Sequence, residues 1–153
     1  MKVLDLKKLN GKFPEIKVDK ATPNVLNLGP DSLTKVAKTL KEDYGFDHLA
    51  NLTAVDYKDY LEVVYNLYSY GTGANLTLKV RLPTEKPDVD SVAGIWPTAN
   101  WQEREVYDFF GIVFNNHPDF RRLFLVEDFP GYPLRKRFKL EYNEEFLLGN
   151  QSE

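Results

Sequence analysis

A run of strict alternation constrains the fold more than any other feature of this chain. From 61 to 70, Leu61, Val63, Tyr65 and Leu67 occupy every second position. Gly71-Thr72-Gly73 then turns the chain, and Leu76, Leu78 and Val80 alternate with Thr77, Lys79 and Arg81. Period-two apolarity is the mark of a half-buried strand, and two such runs joined by a glycine turn read as a β-hairpin. Upstream, Leu33, Val36, Ala37, Leu40 and Tyr44 recur at helical spacing between a Pro30-Asp31-Ser32 cap and a Gly45 stop. Short strands are predicted over 13–18 and 48–55, a turn over 56–59, and a helical turn over 91–95 after the breaks at Pro83 and Pro87. A second helix begins near Trp101. The order strand, helix, three strands, helix specifies an α+β fold: a single ferredoxin-like α/β layer, with an antiparallel or mixed sheet and helices on one face. The division expected is an α+β domain over 1–119 and an extended, irregular arm over 120–153.

Composition narrows the function classes. With 153 residues, 42% of them hydrophobic and 14% aromatic, the chain supports one domain with a proper core. A net charge of −3 argues against a general nucleic-acid binder, although Arg121, Arg122, Arg135, Lys136, Arg137 and Lys139 cluster within twenty residues. The absence of cysteine excludes disulfides, thiolate zinc sites and Cys-ligated iron–sulfur clusters, so any electrons must be carried by another chain. No apolar run approaches the roughly 18–20 residues of a membrane span, and the N-terminus lacks the apolar stretch of a signal peptide. A soluble, intracellular chain is the expectation.

The second helix carries the densest chemistry. At 100° per residue, Val106, Phe109 and Phe110 form an apolar arc into which Glu103 projects, while Arg104 and Asp108 share the opposite face and can pair along it. Glu103 has two structural readings. It either completes a capping box with Asn100 or is a half-buried carboxylate paired with Arg121, Arg122 or Arg135. An acid/base site built from Glu103, Glu105 and His117 would need a pocket and a tuned pKa that spacing alone does not supply. His117 before Pro118 reads as a turn residue bonded to backbone, and His48 lies too far upstream to share a metal. Gly131-Tyr132-Pro133 is an ordered turn that follows no phosphate-loop pattern.

Glu103-Arg104-Glu105, Tyr107-Asp108-Phe109-Phe110-Gly111-Ile112, His117-Pro118-Asp119 with Arg121-Arg122-Leu123, and Gly131-Tyr132-Pro133-Leu134-Arg135-Lys136 resemble the 30 kDa subunit of respiratory complex I, the C-type subunit of bacterial NADH–quinone oxidoreductase. The resemblance extends upstream through Leu52 to Tyr57, the Glu62-Val63-Val64-Tyr65 strand, Trp96-Pro97 and Asn100-Trp101. One departure stands out: family members usually follow Arg-Lys with an acid and a proline, where this chain has Arg137-Phe138-Lys139-Leu140.

The resemblance implies a non-redox scaffold subunit of the hydrophilic arm, docked on the 49 kDa large subunit beside the quinone site and near iron–sulfur subunits. No catalytic, cofactor or metal residue is expected in this chain; iron–sulfur clusters, flavin and quinone would sit on partners. Activity would belong to the complex and not to the isolated chain. The complex would lie on the cytoplasmic side of the cell membrane, touched by this chain only indirectly. Glu103, Arg104, Glu105, Asp108, His117, Arg121, Arg122, Tyr132, Arg135 and Lys136 become partner-interface or structural residues. Phe124, Phe129, Tyr132, Phe138, Tyr142 and Phe146 are anchors of the type enriched in interface cores. Residues 120–149 are expected to be loose, or borrowed by a neighbour, when the chain is alone. Related complexes accept the same subunit: membrane-bound hydrogenases, reduced-deazaflavin dehydrogenases and ferredoxin–plastoquinone oxidoreductases. Two readings of other classes stand beside these. One is an RNA-binding module stacking bases on Tyr65, Tyr68 and Tyr70, and the other is a hydrolase using Glu103 or Glu105.

Overall fold

The computed structural model describes residues 5–139. The alternating run forms the centre of a sheet: β4 (Tyr60–Tyr68) and β5 (Asn75–Pro83) pair antiparallel, with Tyr65 opposite Leu78. β3 (His48–Asp56) adds antiparallel to β4, and β2 (Val25–Leu28) adds parallel to β5. The two-residue β1 (Lys17–Val18) closes the order β1-β2-β5-β4-β3. The sheet is therefore mixed; the expected order of strand, helix, three strands and helix is present, but the strand expected over 13–18 is limited to Lys17–Val18, and β2 is a strand beyond those expected.

Register explains which face is covered. Leu26, Leu52, Tyr65 and Leu78 lie in one row across four strands, and Leu28, Ala54, Val63 and Val80 in the next; all eight are buried. The opposite rows carry Thr53, Val64, Lys79 and Asn27, then Val55, Glu62 and Arg81. On that outer face Glu62 is buried between Lys79 and Arg81, each 3.5 Å away. The core is completed by α2 (Leu33–Tyr44), which buries Leu33, Val36, Ala37 and Leu40, and by α3 (Ala99–Phe110), which buries Val106 and Phe110. A short helix that the residue pattern does not announce, α1 (Leu6–Lys12), is capped by the Asp5 side chain and contributes Leu9. Among the described residues no helix is long and apolar enough to cross a membrane.

The helix ends differ from expectation in detail. Ser32 does not cap α2 with its side chain; its hydroxyl donates to the Gly29 carbonyl at 3.1 Å within a 3-10 turn over Pro30–Ser32. Gly45 ends α2 and Gly111 ends α3, both in the left-handed region that a helix C-terminus favours. α3 also closes an exposed edge. Its Gln102 side chain accepts the N–H of Leu52, next to an irregularity in the outermost strand, β3. After β5 the chain forms β6 (Asp88–Asp90), which pairs parallel with β7 (Val113–Asn115), the strand that follows α3.

Candidate functional site

Beyond β7 the chain has no helix or strand among the described residues, and the backbone from 120 to 139 must find its hydrogen bonds elsewhere. Those that reach outside the segment come mainly from α3. One Asp108 carboxylate oxygen accepts the N–H groups of Leu123, Phe124 and Leu125 at 2.8, 2.6 and 3.3 Å. The other faces the Arg122 guanidinium at 3.5 Å. One turn back, Arg104 donates to the carbonyls of Arg121 and Arg122 at 3.0 and 3.2 Å and meets Asp119 at 3.4 Å. An aspartate gathers amides and an arginine gathers carbonyls, so the two together hold five backbone groups of the bend. Both are buried, and Arg104 stacks over Trp101. The expected pairing of Arg104 with Asp108 along a polar face is replaced by this arrangement, because the arm covers that face.

Further along, Arg135 donates to the carbonyls of Phe110 and Thr84, and the Leu134 N–H reaches the Phe109 carbonyl at 3.0 Å. Asp56, at the end of β3, accepts the N–H groups of Lys58 at 2.7 Å and Lys136 at 2.8 Å. Burial alone would raise this carboxyl; the two amides, with Arg135 and Lys136 nearby, outweigh burial and hold it below its ordinary range. The Tyr132 ring covers Gly111 so closely that a β-carbon there would lie 2.5 Å from it. Residues 120–139 are thus irregular, as expected, but they are fastened to their own domain. These bonds set a test for the expectation of a loose arm at 120–139, and 140–149, with Tyr142 and Phe146, lie outside the described part.

The remaining candidates separate. Glu103 is fully buried and meets none of Arg121, Arg122 and Arg135; Asn100 lies inside the helix, whose cap position is Thr98, so neither reading of Glu103 holds. Its carboxylate instead accepts the Ser91 hydroxyl at 2.5 Å and the Val92 N–H at 2.7 Å. Burial pushes it up to about 7, against the pull of those two donors. His117 is the turn residue expected: Nδ1 accepts the Asp119 N–H and Nε2 lies 3.0 Å from the Asn100 carbonyl. Arg121 pairs with the exposed Asp119 at 2.8 Å, and the Lys136 side chain is exposed. Glu105 is exposed beside a cleft of about 120 Å³ shared with Val106, Phe109 and Leu134, well below the several hundred Å³ of a ligand pocket. The RNA-stacking platform also fails, because Tyr65 belongs to the inward row and is fully buried. Among the described residues no three His, Asp or Glu side chains converge as metal ligands.

Asp56, Ser91 and Thr84 are site residues that the motifs do not single out. Only Asp56 leaves a signal: it continues the inward parity of Leu52 and Ala54, where an acid must find a buried partner.

Outward from this polar seam, the arm and α3 present apolar side chains. Phe124 and Val126 are each 64% exposed, with Leu134 and Trp101 also accessible, and Phe124 stacks on Phe109 at 6.0 Å. Fold and site together define an α+β domain whose buried charges bond the backbone of an irregular arm. The chain belongs to the family of the 30 kDa subunit of respiratory-chain NADH dehydrogenase, whose family model matches residues 26–144. It is 40% identical over 139 residues to the C-type subunit of NADH-quinone oxidoreductase from Moorella thermoacetica, covering 89% of this chain and 94% of that one. It is 38% identical over 141 residues to the C-type subunit of F(420)H(2) dehydrogenase from Methanosarcina mazei, covering 88% and 89%. Among solved structures, a trypsin-resistant fragment of Nqo5 is similar at a TM-score of 0.63 and 33% identity, over 74% of this chain and 95% of that one. A chain of the membrane-bound sulfane sulfur reductase, an archaeal respiratory membrane complex, is similar at 0.76 and 26%, over 97% and 93%.

Proposed function

We propose that this chain is a non-redox scaffold subunit in the peripheral arm of a proton-translocating NADH–quinone oxidoreductase. It docks on the 49 kDa-type large subunit that forms the quinone site, with iron–sulfur subunits as neighbours. Iron–sulfur clusters, flavin and quinone belong to those partners. The chain itself carries no catalytic group, and it sits on the cytoplasmic side of the cell membrane through the complex. The observation that carries this reading is the exposure of Phe124, whose N–H Asp108 accepts, and of Val126 just beyond the bonded amides of 123–125. Large apolar side chains on a pre-ordered loop lose little entropy when a partner covers them, which is how interface anchors gain affinity.

A second reading within the same class, the equivalent subunit of a related complex with another electron donor, has its own support: the 38% identity to an F(420)H(2) dehydrogenase subunit equals that to a quinone-oxidoreductase subunit from Geobacter sulfurreducens. Capture of the tagged chain from gently solubilised native membranes tests both. Recovery of an iron–sulfur-bearing large subunit is expected, lost in Phe124→Asp, and the accompanying module identifies the donor. Capture without a large subunit would refute the scaffold role.

A further inference from the structure

Glu103 has no accessible surface and, among the described residues, no fixed cation beside it. The nearest basic group is His117, equally buried, whose Nε2 lies 3.6 Å from the carboxylate. The hydrogen bonds of His117 define its state. Because Nδ1 accepts the N–H of Asp119 at 3.0 Å, that nitrogen carries no proton; Nε2 carries the hydrogen and donates it to the Asn100 carbonyl at 3.0 Å. The imidazole is neutral, so Glu103 is not half of an ion pair. Nor do the other elements around it supply charge. From β4 comes Tyr65, whose buried phenol is held protonated by desolvation and by the carboxylate itself. Within α3, Arg104 is turned to the carbonyls of Arg121 and Arg122 and to Asp119. The loop after β6 offers only the Ser91 hydroxyl and the Val92 amide, and the Asp88 carboxylate beyond it is engaged by Asn115. A buried carboxylate facing a neutral ring is the arrangement that burial disfavours most, and protonation relieves it.

We propose that Glu103 is a proton-binding site inside the domain, taking up one proton per chain on its carboxyl while His117 orients the site and stays neutral. A proton on His117 Nδ1 would have to displace the Asp119 N–H. A proton on Glu103 requires only that the Ser91 hydroxyl rotate from donor to acceptor, and Ser91 Oγ already accepts the Ala93 N–H at 3.1 Å. The carboxyl, raised to about 7 by desolvation, changes occupancy across neutral pH. Its occupancy is felt by the turn at Ser91–Val92, which it holds from one side of α3. This site needs only the core of the domain and stands independently of the docking role.

The test is a carbon NMR titration of the full-length chain labelled at the glutamate side-chain carboxyls. One glutamate signal, absent from Glu103→Gln, is expected to titrate near 7, and the Val92 amide is expected to follow the same midpoint. Where Glu103→Gln fails to fold, His117→Gln decides: the high-midpoint carboxyl persists if the proton is on Glu103 and vanishes if it is on the imidazole, which would overturn the proposal. All glutamates titrating below about 5 would overturn it as well. A second readout has a defined sign. The folded chain holds a proton that the unfolded chain releases, so stability grows as pH falls from about 7 toward the ordinary value of 4.5. Glu103→Gln removes that gain; a gain that persists unchanged in the variant contradicts the assignment.

Discussion

The paired strands of the β4–β5 hairpin satisfy their backbone with backbone, whereas the segment 120–139 depends on side chains for much of its own. In the hairpin, residues face each other in register from Tyr60–Pro83 to Tyr68–Asn75, alternate pairs exchanging backbone hydrogen bonds, and the inward row is buried throughout. In the arm, backbone bonds close only local turns and one contact to Phe109; the Asp108, Arg104 and Asp56 side chains supply most of the rest. Stability in the sheet is shared among many small terms, so losing one lowers all of it together. In the arm a single side chain holds several backbone groups, so its loss is local and large.

Substitutions can break this comparison or sharpen it. Leu78→Ala, in the fully buried centre of the sheet, is expected to lower global stability by about 4 kcal/mol in urea unfolding and to raise amide exchange everywhere. Asp108→Ala strands three amides and the Arg122 charge. It is expected to weaken arm attachment by about 3 kcal/mol and to deprotect Leu123–Leu125 while hairpin exchange stays unchanged. Equal loss in both regions would dissolve the distinction. Gly111→Ala combines a left-handed backbone with a β-carbon driven into the Tyr132 ring, a cost of about 2 kcal/mol, read as a thermal shift with displaced Tyr132 resonances. The smallest effect belongs to the exposed Lys12–Asp43 pair, where Lys12→Ala is expected to change stability by less than about 0.5 kcal/mol.

The same division governs what the amino-acid pattern reveals. The hairpin, α2 and α3 are legible because their partners repeat with the period of the element, as with Leu61, Val63, Tyr65 and Leu67. Parity even decides against the stacking platform, since Tyr65 shares the inward row. α1 is not legible: it is seven residues long, contains Gly11, and buries only Leu9. The partners of Glu103 escape the pattern because Ser91 and Val92 sit in a loop that local capping rules do not reach. Arg104 and Asp108 have the spacing of a helical pair, yet each finds a better partner in the backbone of the arm. What the motif of acids and arginines does convey is that these charges belong together.

Amide hydrogen exchange on the isolated full-length chain at Leu123, Phe124 and Leu125 tests the central claim directly. If Asp108 fixes the arm before any partner arrives, these three amides exchange far more slowly than in a free peptide, and Asp108→Ala abolishes the protection. Exchange at the free-peptide rate in the unmutated chain, with the hairpin still protected, would show that the arm is held by its partner and not by its own domain.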